Sequence, residues 1–223
     1  MNLGALMSRH RSVTDDTVGP RYRLLDDLLR QYLNEAEREA AIRGRLLHES
    51  ADPDICEISV AAGTSVYTLH PSLYELDHVS IVVQGEELRR PISLVSQEWL
   101  DGNVKDWRVA TGNPLYAIQG DTTLRLVPRP DVPGTIHLEG YRTPKALMVD
   151  DTDVPEINSI HHVHLVEWSQ FLFYSTQDSE MYDPSRAGVA NKAFESRFGP
   201  APDSDLRRQS REDVPHHVEA FMP

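Results

Sequence analysis

The 223-residue chain carries a single cysteine, Cys56. That excludes an internal disulfide and fits synthesis in a reducing cytoplasm. Cys56 sits in the apolar run ICEISV, where a packing residue is expected rather than a nucleophile. Long apolar runs are also missing: nothing approaches the roughly 18–20 residues needed to span a bilayer, and the apolar stretch in MNLGALMSRHRS is too short for a signal peptide. No membrane partner is expected. Cations are outnumbered, 22 Lys and Arg against 35 Asp and Glu, for a net charge of −13. Such a surface repels nucleic acid at long range, which argues against broad or base-specific DNA binding but not against a pore through which DNA passes. The Gly-x-Ser-x-Gly elbow, the GxxxxGK[ST] phosphate loop and a GxGxxG after a strand are all missing. No catalytic residue, cofactor or metal ligand is assigned, and the expectation is that the chain is no enzyme.

What is present is patterning. At 39% hydrophobic content the chain can bury one sizeable core or two small ones, and one compact domain with appendages is expected. The region 107–130, WRVATGNPLYAIQGDTTLRLVPRP, reads as three strands separated by Gly112-Asn113-Pro114 and Gly120-Asp121. Trp107, Val109, Leu115, Ala117, Leu124 and Leu126 alternate along it, and Pro128 and Pro130 end it. Further strands are read in ICEISV, SVYTL, LDHVSIVV, EELRR and TIHLEGYR, with a hairpin at Gln84-Gly85-Glu86 and a short helix SQEWLD ending at Gly102. The count is about seven strands, mostly antiparallel because the connections are short.

Residues 1–21 lack periodicity and read as a flexible, locally basic arm with Arg9, His10, Arg11, Arg21 and Arg23. From Tyr22 to about His48, Leu25, Leu28, Leu29, Tyr32, Leu33, Ala36 and Ala40 recur at helical spacing. A second long helix is expected over 156–177, apolar on more than one side and therefore packed between layers or against another subunit. A third follows Asp183-Pro184 and closes at Gly199. The fold expected is α+β. A long-helix bundle from 22–50 and 150–199 brackets an inserted, mostly antiparallel β domain at 54–143, and an extended tail occupies 200–223.

Two clusters tempt a metal reading. His161, His162 and His164 with Glu167 give a His-x-x-His face, but HExxH and further ligands are missing, so His164 beside Trp168 and a hydrogen-bonded His161 are the preferred structural roles. Asp150, Asp151, Asp153 and Glu156 lack EF-hand spacing.

Taken together, the ordered motifs resemble a known family. They are the G-x-x-x-Y-x-L of Gly63–Leu69, then Trp107, Gly112, Pro114 and Tyr116. The L-x-L-x-P-x-P of Leu124–Pro130 follows, then Gly134, Tyr141-Arg142 and Pro144. After these come the acidic stretch with Pro155, the Ile-x-x-Ile-His helix, and Phe194–Gly199. Over residues 22–199 the chain resembles the head-to-tail adaptor proteins of short-tailed and related bacteriophages, the tail tubular protein A type. The resemblance implies a virion structural protein, made in the bacterial cytoplasm. It would form a homo-oligomeric ring of about twelve copies between the portal protein and the tail nozzle or tail tube, through which DNA passes without specific binding. On that reading Trp168, Phe171, Leu172 and Phe194 are expected at subunit contacts. Leu206, Arg207, Arg208, Val218, Phe221 and Met222 of the tail are expected at the portal, and the β domain faces the tail. Two rivals stay open: a carbohydrate- or host-surface-binding β module using Trp99, Trp107 and Tyr116, and a metal hydrolase using His161, His164 and the acids of 150–156.

Overall fold

The computed structural model describes residues 1–19, 22–177 and 180–202. Its first element corrects the expectation of a flexible arm, because Leu3–Thr14 form a helix, α1. The Asn2 side chain accepts the Ala5 amide at 3.0 Å and caps it. Leu3 and Leu6 are fully buried and Met7 is nearly so. The helix was illegible because two of its buried positions, His10 and Arg11, are polar and break the apolar stripe on which a periodicity reading depends.

The helix α2 (Asp26–Gly44) buries Leu29, Leu33, Ala36 and Ala40 as their spacing dictates, and begins with Asp26 and Asp27, which favour its positive end. After it come β1 (His48–Glu49), α3 (Pro53–Cys56), β2 (Glu57–Val60), β3 (Val66–Thr68), β4 (Leu73–Val83) and β5 (Arg90–Leu94). The chain continues through α4 (Gln97–Asn103), β6 (Tyr116–Gln119), β7 (Thr123–Val127) and β8 (Gly134–Arg142). A 3-10 turn at Ser159–His164, then α5 (Leu165–Ser175) and α6 (Pro184–Phe198), complete an α+β fold with six α-helices among the described residues.

The described chain divides into two units, one holding 1–56, 70–76 and 139–202, the other 57–69 and 77–138. Strands β4 and β8 contribute residues to both. In the first unit, α1, α2, α5 and α6 share one apolar core that includes Leu6, Leu33, Leu165, Phe173 and Phe194. Helix α5 packs on α1, α2 and α6, so its apolar character on several sides serves the interior of its own unit. The expected continuous helix from Glu156 is instead a loop and the 3-10 turn, where the Asn158 side chain accepts the Ile160 amide at 3.1 Å, ahead of α5. Helix α6 starts as expected, with the Asp183 carboxylate accepting the Ser185 and Arg186 amides at 3.1 and 3.0 Å.

In the second unit the strand order is β8-β4-β5-β6-β7-β3, with β2 also paired to β8. The pairs β2–β8, β3–β7, β4–β5 and β6–β7 are antiparallel, and β5 pairs with β6 in parallel. The crossover through α4 and the turns after it permits that parallel pair. ICEISV is part helix: Ile55 and Cys56 belong to α3, and β2 pairs with β8 instead of with β3.

The expected strand at Trp107 does not form. Asp106 adopts φ 54°, and its carbonyl accepts the Val109 and Ala110 amides at 3.1 and 3.2 Å, curling the chain into a turn. Trp107 is nonetheless buried at 5% exposure, in a small core with Leu100 and Val127. Its indole N–H donates to Asp101 at 2.8 Å. Val109 and Leu115, read as core positions, are 73% and 58% exposed.

Candidate functional site

The first unit is tied together by charges that sequence spacing does not single out. Arg142 comes from the end of β8, with its side chain 8% exposed, and reaches Glu49 of β1 at 3.0 Å and both carboxylate oxygens of Glu156 at 3.0 and 2.5 Å. The paired Glu156 contact is the two-pronged guanidinium–carboxylate geometry that Arg favours over Lys. Lys145 joins from the loop, 3.1 Å from Glu49 and 2.7 Å from Asp52. Burial pushes the Glu49 carboxyl up. The hydrogen bonds from Lys145, the Ala51 amide, Arg142 and the Asp52 amide outweigh that and hold it down at about 2. Cys56 sits in the same neighbourhood, 3% exposed, and burial with nearby carboxylates raises its thiol to about 11. It is a packing residue and not a nucleophile.

The carboxyl displaced in the opposite direction from Glu49 is Glu37 of α2, 2% exposed, which accepts the Glu156 and Ile157 amides at 2.5 and 3.4 Å. Burial raises it to about 7; the two amides pull it down, and the neighbouring Glu156 charge pushes it up again. The folded chain therefore keeps a proton that the unfolded chain releases between about 4.5 and 7. Its contribution to stability is greatest at acid pH and is lost as pH rises through that window. Glu37→Gln keeps the amide acceptor and removes the titration. Denaturation of both proteins should give equal stability near pH 4.5, and at pH 8 the variant should be more stable by on the order of 2–3 kcal/mol.

His10 is fully buried, edge-on to Phe173 with centroids 5.4 Å apart. The Ser169 hydroxyl donates its one hydrogen to the Val166 carbonyl at 3.0 Å, so the contact of 2.8 Å between Ser169 Oγ and His10 Nδ1 places a hydrogen on Nδ1. Burial, reinforced by Arg11, lowers the imidazole to about 4 although Asp16 opposes. The ring stays neutral in the folded chain at neutral pH.

The sequence-predicted positions fall as follows. Trp168 and Phe194 lie 7% and 0% exposed in the unit's own core, their rings 5.0 Å apart, while Phe171 and Leu172 are partly buried at its edge. Leu206, Arg207, Arg208, Val218, Phe221 and Met222 lie outside the described residues. Among His161, His162 and His164, His162 is the buried member, its ring nitrogens 3.0 Å from the Met1 carbonyl and 2.9 Å from the Ile157 carbonyl. His164 pairs with Glu167 at 3.0 Å, where packing beside Trp168 was expected, and His161 lies against Phe198, ring centroids 5.6 Å apart, where a hydrogen bond was expected. Among the described residues no group of three or more His, Cys, Asp or Glu is arranged to hold a metal.

The acids of the 150–156 loop shape backbone. Asp153 accepts the Val149 and Asp150 amides at 2.7 and 2.8 Å, and Glu156 faces Arg142. Of the three aromatics a glycan face would require, Trp107 is buried and Trp99 packs on Tyr116, ring centroids 5.2 Å apart. Sequence reasoning named Arg11 only as part of a basic arm and Arg142 only within a family motif, and it passed over Glu37, whose signal was a charge beside Ala36 and one turn from Leu33 within the apolar stripe of α2. Arg11, Glu37 and Arg142 are buried, while apolar residues such as Leu147, Val149, Val154 and Val189 are exposed. No helix among the described residues is long and apolar enough to cross a membrane.

No curated protein matches the chain. The profile of the SU10 adaptor protein family matches residues 1–218, close to the full length and including α1 as well as the region of the motif resemblance. The chain belongs to the SU10 adaptor protein family.

Proposed function

We propose that this adaptor is a phage virion structural protein that forms a ring of about twelve copies beneath the portal, joins it to the tail nozzle or tail tube, continues the DNA channel and helps retain the packaged genome. The observation that carries this reading is the family match over residues 1–218. Two features support it. The first unit is cross-tied by Arg142, Lys145 and Arg11, as a part that bears load between two assemblies requires. The net charge of −13 suits a conduit that DNA crosses without being held. No step of this role needs catalysis or a cofactor.

Within the reading, Phe171 and Leu172 provide the ring contact directly, with Trp168 and Phe194 as the rigid backing behind them. The tail residues Leu206, Arg207, Arg208, Val218, Phe221 and Met222 engage the portal, and the second unit faces the tail. The test compares the full chain with one ending at Gly199, each mixed with the portal ring encoded by the same genome. The full chain should bind and the shortened chain should not; equal binding by both contradicts the assignment of the tail.

A further inference from the structure

The loop Leu147–Val154 combines two properties that rarely coexist. It is held from several directions. The Asn34 side chain grips the Met148 backbone, donating to its carbonyl at 3.0 Å and accepting from its amide at 2.8 Å. Asp153 accepts the amides of Val149 and Asp150. The first turn of α1 donates from the Leu3 amide to the Asp153 carbonyl at 2.7 Å and from Gly4 to Asp151 at 3.0 Å. Yet Leu147, Val149 and Val154 stand 73%, 61% and 59% exposed, interleaved with the exposed acids Asp150 and Asp151. A loop fixed in place while presenting apolar side chains has its ordering cost met in advance of binding.

Elsewhere on the same unit, α1, α5 and α6 frame an open groove of about 490 Å³. Its lining mixes the apolar Val13, Tyr174, Val189 and Ala193 with the charged Glu167 and Arg186. Arg9 lies one turn from Val13 on α1, and Lys192 lies three residues from Val189 on α6, so both flank the groove. Both are exposed. Of the acids there, Asp183 faces Arg186 at 3.4 Å, while Glu167 meets His164 through one carboxylate oxygen at 3.0 Å and keeps the other, Oε2, buried without a hydrogen-bond partner. The groove thus sets apolar walls and three cations, Arg186, Arg9 and Lys192, against one carboxylate, Glu167, whereas the charges of the loop are all acidic.

We infer that the Leu147–Val154 loop of one copy docks into the α1–α5–α6 groove of the next, a head-to-tail contact between two different faces of the same chain. This rests on the ring reading and gives it an interface, since such a contact closes into a ring when its rotation allows. The loop's apolar side chains supply the buried area, and Asp150 and Asp151 against Arg9 and Lys192 set register and direction.

The experiment uses the full chain and the portal ring of its genome in two charge-swapped forms, Asp150→Lys with Asp151→Lys, and Arg9→Glu with Lys192→Glu. All four positions are exposed, so both should melt as the wild type does. Each form alone should assemble at least about tenfold less well. An equal mixture should recover assembly, because alternating copies pair swapped loop with swapped groove and native loop with native groove. A second pair, Leu147→Cys and Val189→Cys on separate chains, should form a mixed disulfide dimer under mild oxidation. Wild-type assembly by both swapped forms, or no mixed dimer from an assembling cysteine pair, overturns the inference and leaves the ring intact. A wild-type chain that adds no copies to the portal overturns the ring reading, and this one with it.

Discussion

Replacing Arg11 with methionine should lower the stability of the chain by about 3 kcal/mol, the lower end of the cost of breaking a buried ion pair. Arg11 is 2.7 Å from Asp16 and 2.5 Å from Asp26, donates to the Leu24 carbonyl at 3.0 Å and lies 3.6 Å over the Tyr22 ring. The large term is Asp16, whose side chain is 2% exposed, because methionine would strand its charge in the interior. Two amide donors, from Arg23 at 2.7 Å and Leu24 at 3.2 Å, would remain and keep the loss from reaching the top of the range. Asp26, at 57% exposure, returns to water at little cost. Adding Asp16→Asn should recover part of the loss by removing the stranded charge. Urea denaturation of the three proteins checks this, and a loss below about 1 kcal/mol would mean that the pair behaves as a surface contact.

Gly140→Ala should be as damaging, at about 3 kcal/mol or failure to fold. A Cβ at Gly140 would overlap the Glu75 carbonyl oxygen and lie 2.9 Å from the Leu76 Cα. Both obstacles are backbone, so no side chain can turn aside; the strands would have to separate. The control is Gly188→Ala on the exposed side of α6, where a Cβ meets nothing within 4 Å. That change should stabilise by about 0.5–1 kcal/mol. Thermal melts of the pair decide the matter, and equal melting of Gly140→Ala and wild type would refute the close approach.

These residues also mark where the sequence was legible and where it was not. The burial of Leu29, Leu33, Ala36 and Ala40 on α2 and the alternating burial of Leu124 and Leu126 on β7 follow from local periodicity, because within each element these positions share one face. Arg11 defeats such a reading: in α1 it is a buried charge whose partners belong to the turn and helix that follow. The Arg142 pair spans 93 residues to Glu49, and no local pattern reports a contact of that separation. Trp107 shows a half-success, its burial readable from size and hydrophobicity, its strand cancelled by the left-handed turn at Asp106. Trp168 and Phe194 show a different ambiguity. An apolar helix face predicts burial without saying against what, and here the partner is the chain's own core. The loop and groove were not legible at all, since only the fold places Val13 beside Val189.

The most direct measurement of the central claim is the mass distribution, by mass photometry, of the portal ring alone and with an excess of the full chain. The account predicts a single discrete shift equal to a whole number of 25.2 kDa chains, close to one complete ring of about twelve copies. A portal peak that does not move, beside a chain that remains a monomer, would contradict it.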